Sequence, residues 1–168
     1  MDFMEVVRKR RSIRKYKTDP IPEEMLNQVL EAARLAPSGG NGQPWHFIVV
    51  IDKQRREALA KGGRYAKFLA EAPVAIVGCG NRKASPNWNV VDMAIAMQNM
   101  VLAAHSLGLG TCWVGFVEIF KFGNKWKKKL GVSFPYRLIE GISVGYPVGN
   151  PDGMIERELH ETEWWEDG

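Results

Sequence analysis

The chain has 168 residues, 45% of them hydrophobic, with 23 Lys or Arg against 19 Asp or Glu. That size suits one domain with a real core, and no run of about 18 apolar residues is present to cross a bilayer. The basic excess is local: residues 8–17, RKRRSIRKYK, hold seven Arg or Lys and no acid, and without them 16 bases face 19 acids.

The N-terminus carries Asp2 and Glu5 before its first base and lacks the apolar core of a signal peptide, so the expected location is the cytoplasm. Asp2 followed by Glu5 resembles a capping box, with Phe3, Val6, Val7 and Arg10 on one side of a helix running to about Arg11. The basic run therefore straddles a helix end. Beyond it, SIRKYK alternates as extended chain does, turning Ser12, Arg14 and Tyr16 one way and Ile13 and Lys15 the other. Glu23 to Ala36 reads as a helix with Leu26, Val29, Leu30 and Ala33 on its buried stripe, ended by Pro37.

PSGGNGQP, residues 37–44, is a loop by composition, and His46 to Ile51 a strand. A helix from about Gln54 to Ala60 and a shorter one ending at Ala72 precede the strand Val74 to Cys79. GNRKASPNWN is a polar loop. From Val90 to Leu107 the apolar residues Val90, Val91, Ala94, Met97, Val101, Ala104 and Leu107 keep helical spacing, which predicts the central helix. GLGTCWVGF then reads as a short strand after glycine, EIFKFGNKWKKKLG as an amphipathic stretch, and Leu138 to Val144 as the last strand. The segment 152–168 is charged and serves as an extension of a single domain spanning 1–168. Four strands and at least four helices that do not strictly alternate indicate α+β with a mixed sheet.

Several chemistries fail on spacing. GLGTCWVG has Trp113 where a dinucleotide fingerprint needs its third glycine, and PSGGNGQ lacks the Lys and Ser/Thr of a phosphate loop. Cys79 and Cys112 stand in apolar or glycine-rich surroundings, His46, His105 and His160 are far apart, and no metal is expected. What remains suits a planar anion: guanidiniums and the Ser12 hydroxyl at a helix end, backbone amides in glycine loops, and an aromatic. A nucleic-acid arm would need interleaved stacking aromatics, and Tyr16 stands alone in the run, so no nucleic acid is expected.

Four ordered motifs, RRSIRKY, APSGGNGQPWHFIVV, GLGTCWVG and SVGYP, make the chain resemble the flavin-dependent nitroreductase family over about residues 3–157. The resemblance implies a largely antiparallel central sheet flanked by helices, an intertwined homodimer, FMN at the subunit interface, and ping-pong reduction of nitro compounds, quinones or related aromatics by NADH or NADPH. It places Arg10 and Ser12 on the FMN phosphate side, Arg11 nearby, and Arg14 at the pyrimidine edge, where a fixed cation favours the anionic reduced ring. Pro37, Ser38, Gly39, Asn41 and Gln43 would reach the flavin from the other subunit. Cys112, Trp113, Val114 and Gly115 would run beneath the ring, and Arg157 is the only C-terminal candidate for the phosphate. No side chain is implied as catalytic, since the flavin carries the chemistry. Trp164 and Trp165 suit a dimer contact. The segment Gly80 to Asn89 is too short for the helical insertion that longer members carry over the flavin, which leaves the site open or covered by other elements. The alternatives are a flavin-binding redox sensor without substantial turnover and a basic interaction domain.

Overall fold

Residues 74–81, VAIVGCGN, are buried almost end to end, as expected of an interior strand covered on both faces. The computed structural model describes residues 2–62, 65–115 and 127–149. Its four strands are β1 (Trp45–Val50), β2 (Val74–Asn81), β3 (Gly110–Gly115) and β4 (Tyr136–Gly145). They lie in the order β1-β2-β4-β3, each neighbouring pair antiparallel. A parallel element comes from the N-terminal segment, where Ser12 bridges to Thr111 on the free edge of β3. The helices are α1 (Phe3–Lys9), α2 (Glu23–Arg34), α3 (Lys53–Ala60), α4 (Phe68–Glu71) and α5 (Asn89–Ser106).

Strand alternation builds two cores. On one face Val74, Ile76, Ile142 and Val144 pack with Met93, Met97, Met100 and Val101 of α5 and with Leu26, Val29 and Ala33 of α2. On the other, Ala75, Val77, Cys79, Cys112 and Val114 meet Leu59 of α3 and Phe68 and Leu69 of α4. Glycine lets α5 close on the sheet: a Cβ at Gly78 would lie 2.7 Å from Met93 Sδ. The β2–β4 register slips between Gly78 and Cys79, so that Gly78 faces Glu140 and Cys79 faces Leu138. This slip leaves Ile139 without a partner in β2, and Ile139 joins the α5-side core with Ile142.

Three expectations change in detail. Asp2 occupies the N-cap of α1, but its side chain caps nothing, and Glu5 instead pairs with Lys9 at 2.7 Å. In α1 only Val6 is buried, while Phe3, Met4 and Val7 are exposed. At the start of α5 the apolar residues face outward and the polar ones inward: Val90 and Val91 are exposed, Asn89 and Asp92 are buried, and the buried apolar stripe is Met93, Ala96, Met97, Met100, Val101 and Ala104. Trp88, Val91 and Ile95 instead form an exposed apolar stripe at helical spacing.

Candidate functional site

The RRSIR segment is fixed by its backbone. Leaving α1 at Arg10, the chain becomes extended and runs beside β3, with Ile13 N–H donating to Thr111 O at 2.8 Å. Ile13 packs so close that a Cβ at Gly110 would lie 2.7 Å from its own Cβ. The alternation read from the sequence holds: Ser12, Arg14 and Tyr16 turn to the α3/α4 side. Tyr16 is buried there, its hydroxyl bonded to Ile13 O and to Ser143 Oγ, the latter at 2.6 Å. Arg14 reaches Phe68, its Cζ 6.0 Å from the ring centroid.

A cavity of about 480 Å³ opens at this place, lined by Arg14, Lys15, Tyr65, Lys67, Phe68, Glu71 and Trp113. Three cations against one carboxylate, with three aromatic rings, make a site for a flat anion. The Cys112 thiol lies within the field of Arg14 and Arg10. Burial pushes its pKa up, while Arg14, a hydrogen bond with Ser12, and Arg10 pull the other way. At 3% exposure it is a packing group, not a nucleophile. Arg10, Ser12, Arg14, Cys112 and Trp113 are thus brought together, with Val114 and Gly115 continuing the same strand. Arg11 is turned back, its Nη1 donating to the carbonyls of Arg8 and Arg10. Arg157, Trp164 and Trp165 lie outside the described residues. Among the described residues no cluster of His, Cys, Asp or Glu could hold a metal, and no helix is long and apolar enough to cross a membrane.

The glycine-rich loop 37–44 is elsewhere. It leads into β1, on the opposite edge of the sheet from β3, and toward the other end of the strands, since Trp45 pairs with Gly80 and Gly80 with Arg137, whereas Thr111 pairs with Val144. Standard strand and residue spacings put this loop more than about 20 Å from Ser12 of the same chain. It is tightly built. Gly40, Asn41 and Gln43 all have positive φ, at 57°, 55° and 42°, and Gln43 N–H donates to Ser38 Oγ at 3.0 Å. A left-handed glutamine is uncommon, and such strain concentrates where loops bind ligands.

One buried carboxylate anchors the loop to α5. Asp92 accepts from Gly39 N–H at 3.0 Å and from Ser85 Oγ at 2.9 Å. Asp92→Ala leaves the Gly39 amide unpaired and should cost about 1–3 kcal/mol in a urea melt. Asp92→Asn should cost much less, because Ser85 can rotate its hydroxyl to accept from the amide. Equal losses in the two variants would show that the anchor depends on the negative charge of the carboxylate, which the isosteric Asn cannot replace, and not on hydrogen bonds that an amide can also make.

Tyr65, Lys67, Phe68 and Glu71 went unnoticed in the sequence. Their signal was an aromatic, a lysine, an aromatic and a glutamate at one-turn spacing in YAKFLAE, which any short amphipathic helix could carry.

The comparisons with known proteins agree with one another. The model of the nitroreductase family matches residues 7–62 and 53–146. A protein of Methanothermobacter thermautotrophicus, provisionally named an NADH dehydrogenase/NAD(P)H nitroreductase, is 37% identical over 98% of this chain and 88% of its own length. A provisional nitroreductase from Desulfovibrio desulfuricans, solved in complex with FMN, matches with a TM-score of 0.86 at 32% identity over 98% of both chains. An FMN-dependent nitroreductase from Clostridium difficile matches at 0.80 and 34% identity, covering 94% of this chain and 91% of that one.

Proposed function

The chain belongs to the nitroreductase family, and from that premise we propose that it is an FMN-dependent NAD(P)H oxidoreductase that works as a homodimer and reduces small aromatic acceptors, nitro compounds or quinones, in a ping-pong cycle. When bound, FMN supplies the chemistry, taking a hydride from the nicotinamide and passing electrons to the acceptor. The chain supplies the site. Arg10 and Ser12 hold the phosphate by charge-assisted hydrogen bonds. Arg14, with Lys15 and Lys67 beside it, sets a positive potential at the cavity, which favours any negative charge that develops there. Phe68, Tyr65 and Trp113 give flat apolar walls that keep water from a planar ring.

The observation that carries the dimer is the position of loop 37–44. Its strained, anchored backbone cannot reach the cavity of its own chain, so a site that uses both segments takes the loop from a second copy. Exposed apolar side chains support an interface: Phe3, Met4 and Val7 on α1, and Val91 and Ile95 on α5.

The test begins with colour and mass. Purified protein is expected to carry FMN absorbance and to sediment as a dimer at low micromolar concentration. Turnover with NADH or NADPH and a quinone should give parallel double-reciprocal lines. A colourless protein that FMN does not reconstitute overturns the cofactor, a monomer that holds FMN overturns the two-chain site, and intersecting lines overturn the ping-pong cycle.

A further inference from the structure

Trp88 is oddly placed for a tryptophan. It stands at the N-cap of α5 and is 58% exposed, although burying an indole removes more apolar surface from water than burying almost any other side chain. It is nevertheless held firmly. Its carbonyl accepts the Asp92 N–H at 2.8 Å, and its ring presses on the glycine-rich loop: a Cβ at Gly39 would lie 3.1 Å from indole Cδ1 and 3.2 Å from Cγ. Gly39 in turn donates to Asp92. Loop and indole are therefore one unit, with one ring edge packed on Gly39 and the rest open. A larger residue at 39 would make the ring give by a few tenths of an ångström.

In the two-chain site the loop 37–44 of one protomer faces the flavin of the other, and Trp88 travels with the loop. We infer that Trp88 of each protomer forms the aromatic wall of its partner's active site, against which a planar acceptor stacks, and so determines which acceptors the enzyme prefers. This inference rests on the two-chain flavin site proposed above. It also answers what stands over the site in a chain whose β2–α5 connection, residues 82–88, is too short for a helix of its own. The chemistry fits the acceptor class. An indole offers a wide electron-rich face, nitroarenes and quinones are flat and electron-poor, and offset stacking of such rings is favourable. A compact inorganic acceptor gains nothing from that surface.

The experiment uses the FMN-loaded dimer and the variants Trp88→Ala and Trp88→Phe. Binding of 4-nitrobenzamide to the oxidised enzyme is read from the perturbation of flavin absorbance, without turnover, and kcat/KM is measured for 4-nitrobenzamide and for ferricyanide. Trp88→Ala should weaken nitrobenzamide binding about threefold to tenfold and shift the ratio of the two kcat/KM values by the same factor toward ferricyanide. Trp88→Phe should recover most of both. Unchanged binding in Trp88→Ala, or an equal fall for both acceptors, overturns the inference. So does loss of FMN or of the dimer in both variants, which would make the indole an interface-packing group. Wild-type protein assayed in parallel separates the two levels: if it is itself monomeric or free of flavin, the two-chain reading fails, and only with that reading intact do the variants decide the role of Trp88.

Discussion

A mixed dimer should bind one FMN tightly, although neither of its chains can do so in a homodimer. One chain carries Arg10→Ala and Arg14→Ala with a native loop. The other carries Asn41→Ala and Gln43→Ala with native arginines. Each homodimer has two sites lacking charge-assisted or hydrogen-bonded contacts, each worth about 1.5–3 kcal/mol for the charged groups, so FMN affinity should fall roughly tenfold to hundredfold or more. In the mixed dimer one site combines the native arginines with the native loop and is whole, while the other loses both.

The outcome separates two architectures. If arginines and loop served the flavin within one chain, the mixed dimer would hold two singly damaged sites and no tight one. Isolating the mixed dimer through two different affinity tags and titrating it with FMN gives the answer: half a molar equivalent per chain at wild-type affinity supports the two-chain site, and two weak sites sink it. The geometry favours the first, because Ser12 lies on the β3 edge and Trp45, where the loop ends, on the β1 edge. The loop cannot relax across that distance without giving up the Gly39–Asp92 bond.

Much of this is legible in the sequence alone. Among the described residues, sequence pattern located α1 to α5 and β1 to β4 to within a few residues, since amphipathic spacing in α2 and continuous apolar strands follow directly from what must leave water. The alternation of Ser12, Arg14 and Tyr16 was equally readable. Strand order was not. A period of two says which face a side chain takes and nothing about which edge its strand occupies, so the separation of loop 37–44 from the arginines emerged only with the order β1-β2-β4-β3. The exposed Val7 and Val91 misled for a related reason. An apolar residue at helical spacing signals burial against something, and the something need not belong to the same chain. The slip at Gly78 also left no local trace, and it places a carboxylate where strand reading would expect an apolar side chain.

That carboxylate, Glu140, gives the second large expected effect. It is 8% exposed, paired in register with Gly78 on one side and Gly115 on the other, and its Oε1 has no hydrogen-bond partner among the described residues. Arg137, on the same strand, directs its Nε to Asn89 Oδ1 instead. Burial alone pushes the carboxyl from 4.5 up to about 7. The folded chain therefore prefers the neutral acid. Between pH 4.5 and 7 it binds a proton that the unfolded chain releases, so this group's destabilising effect is full above pH 7 and fades as pH falls toward 4.5. A shift of this size corresponds to about 3 kcal/mol at pH 8. Glu140→Gln keeps the volume and removes the charge, and its unpaired amide costs much what the unpaired neutral acid does. Urea melts of the FMN-loaded protein should then show the variant more stable than wild type by about 2–3 kcal/mol at pH 8 and nearly equal to it at pH 4.5. A gap of the same size at both values would mean that the charge is not what the fold resists. A variant less stable at pH 8 would mean that Glu140 is ionised in the dimer and holds a cation brought by another part of the assembly, and the site beside Gly115 would then need that ion pair in its electrostatics.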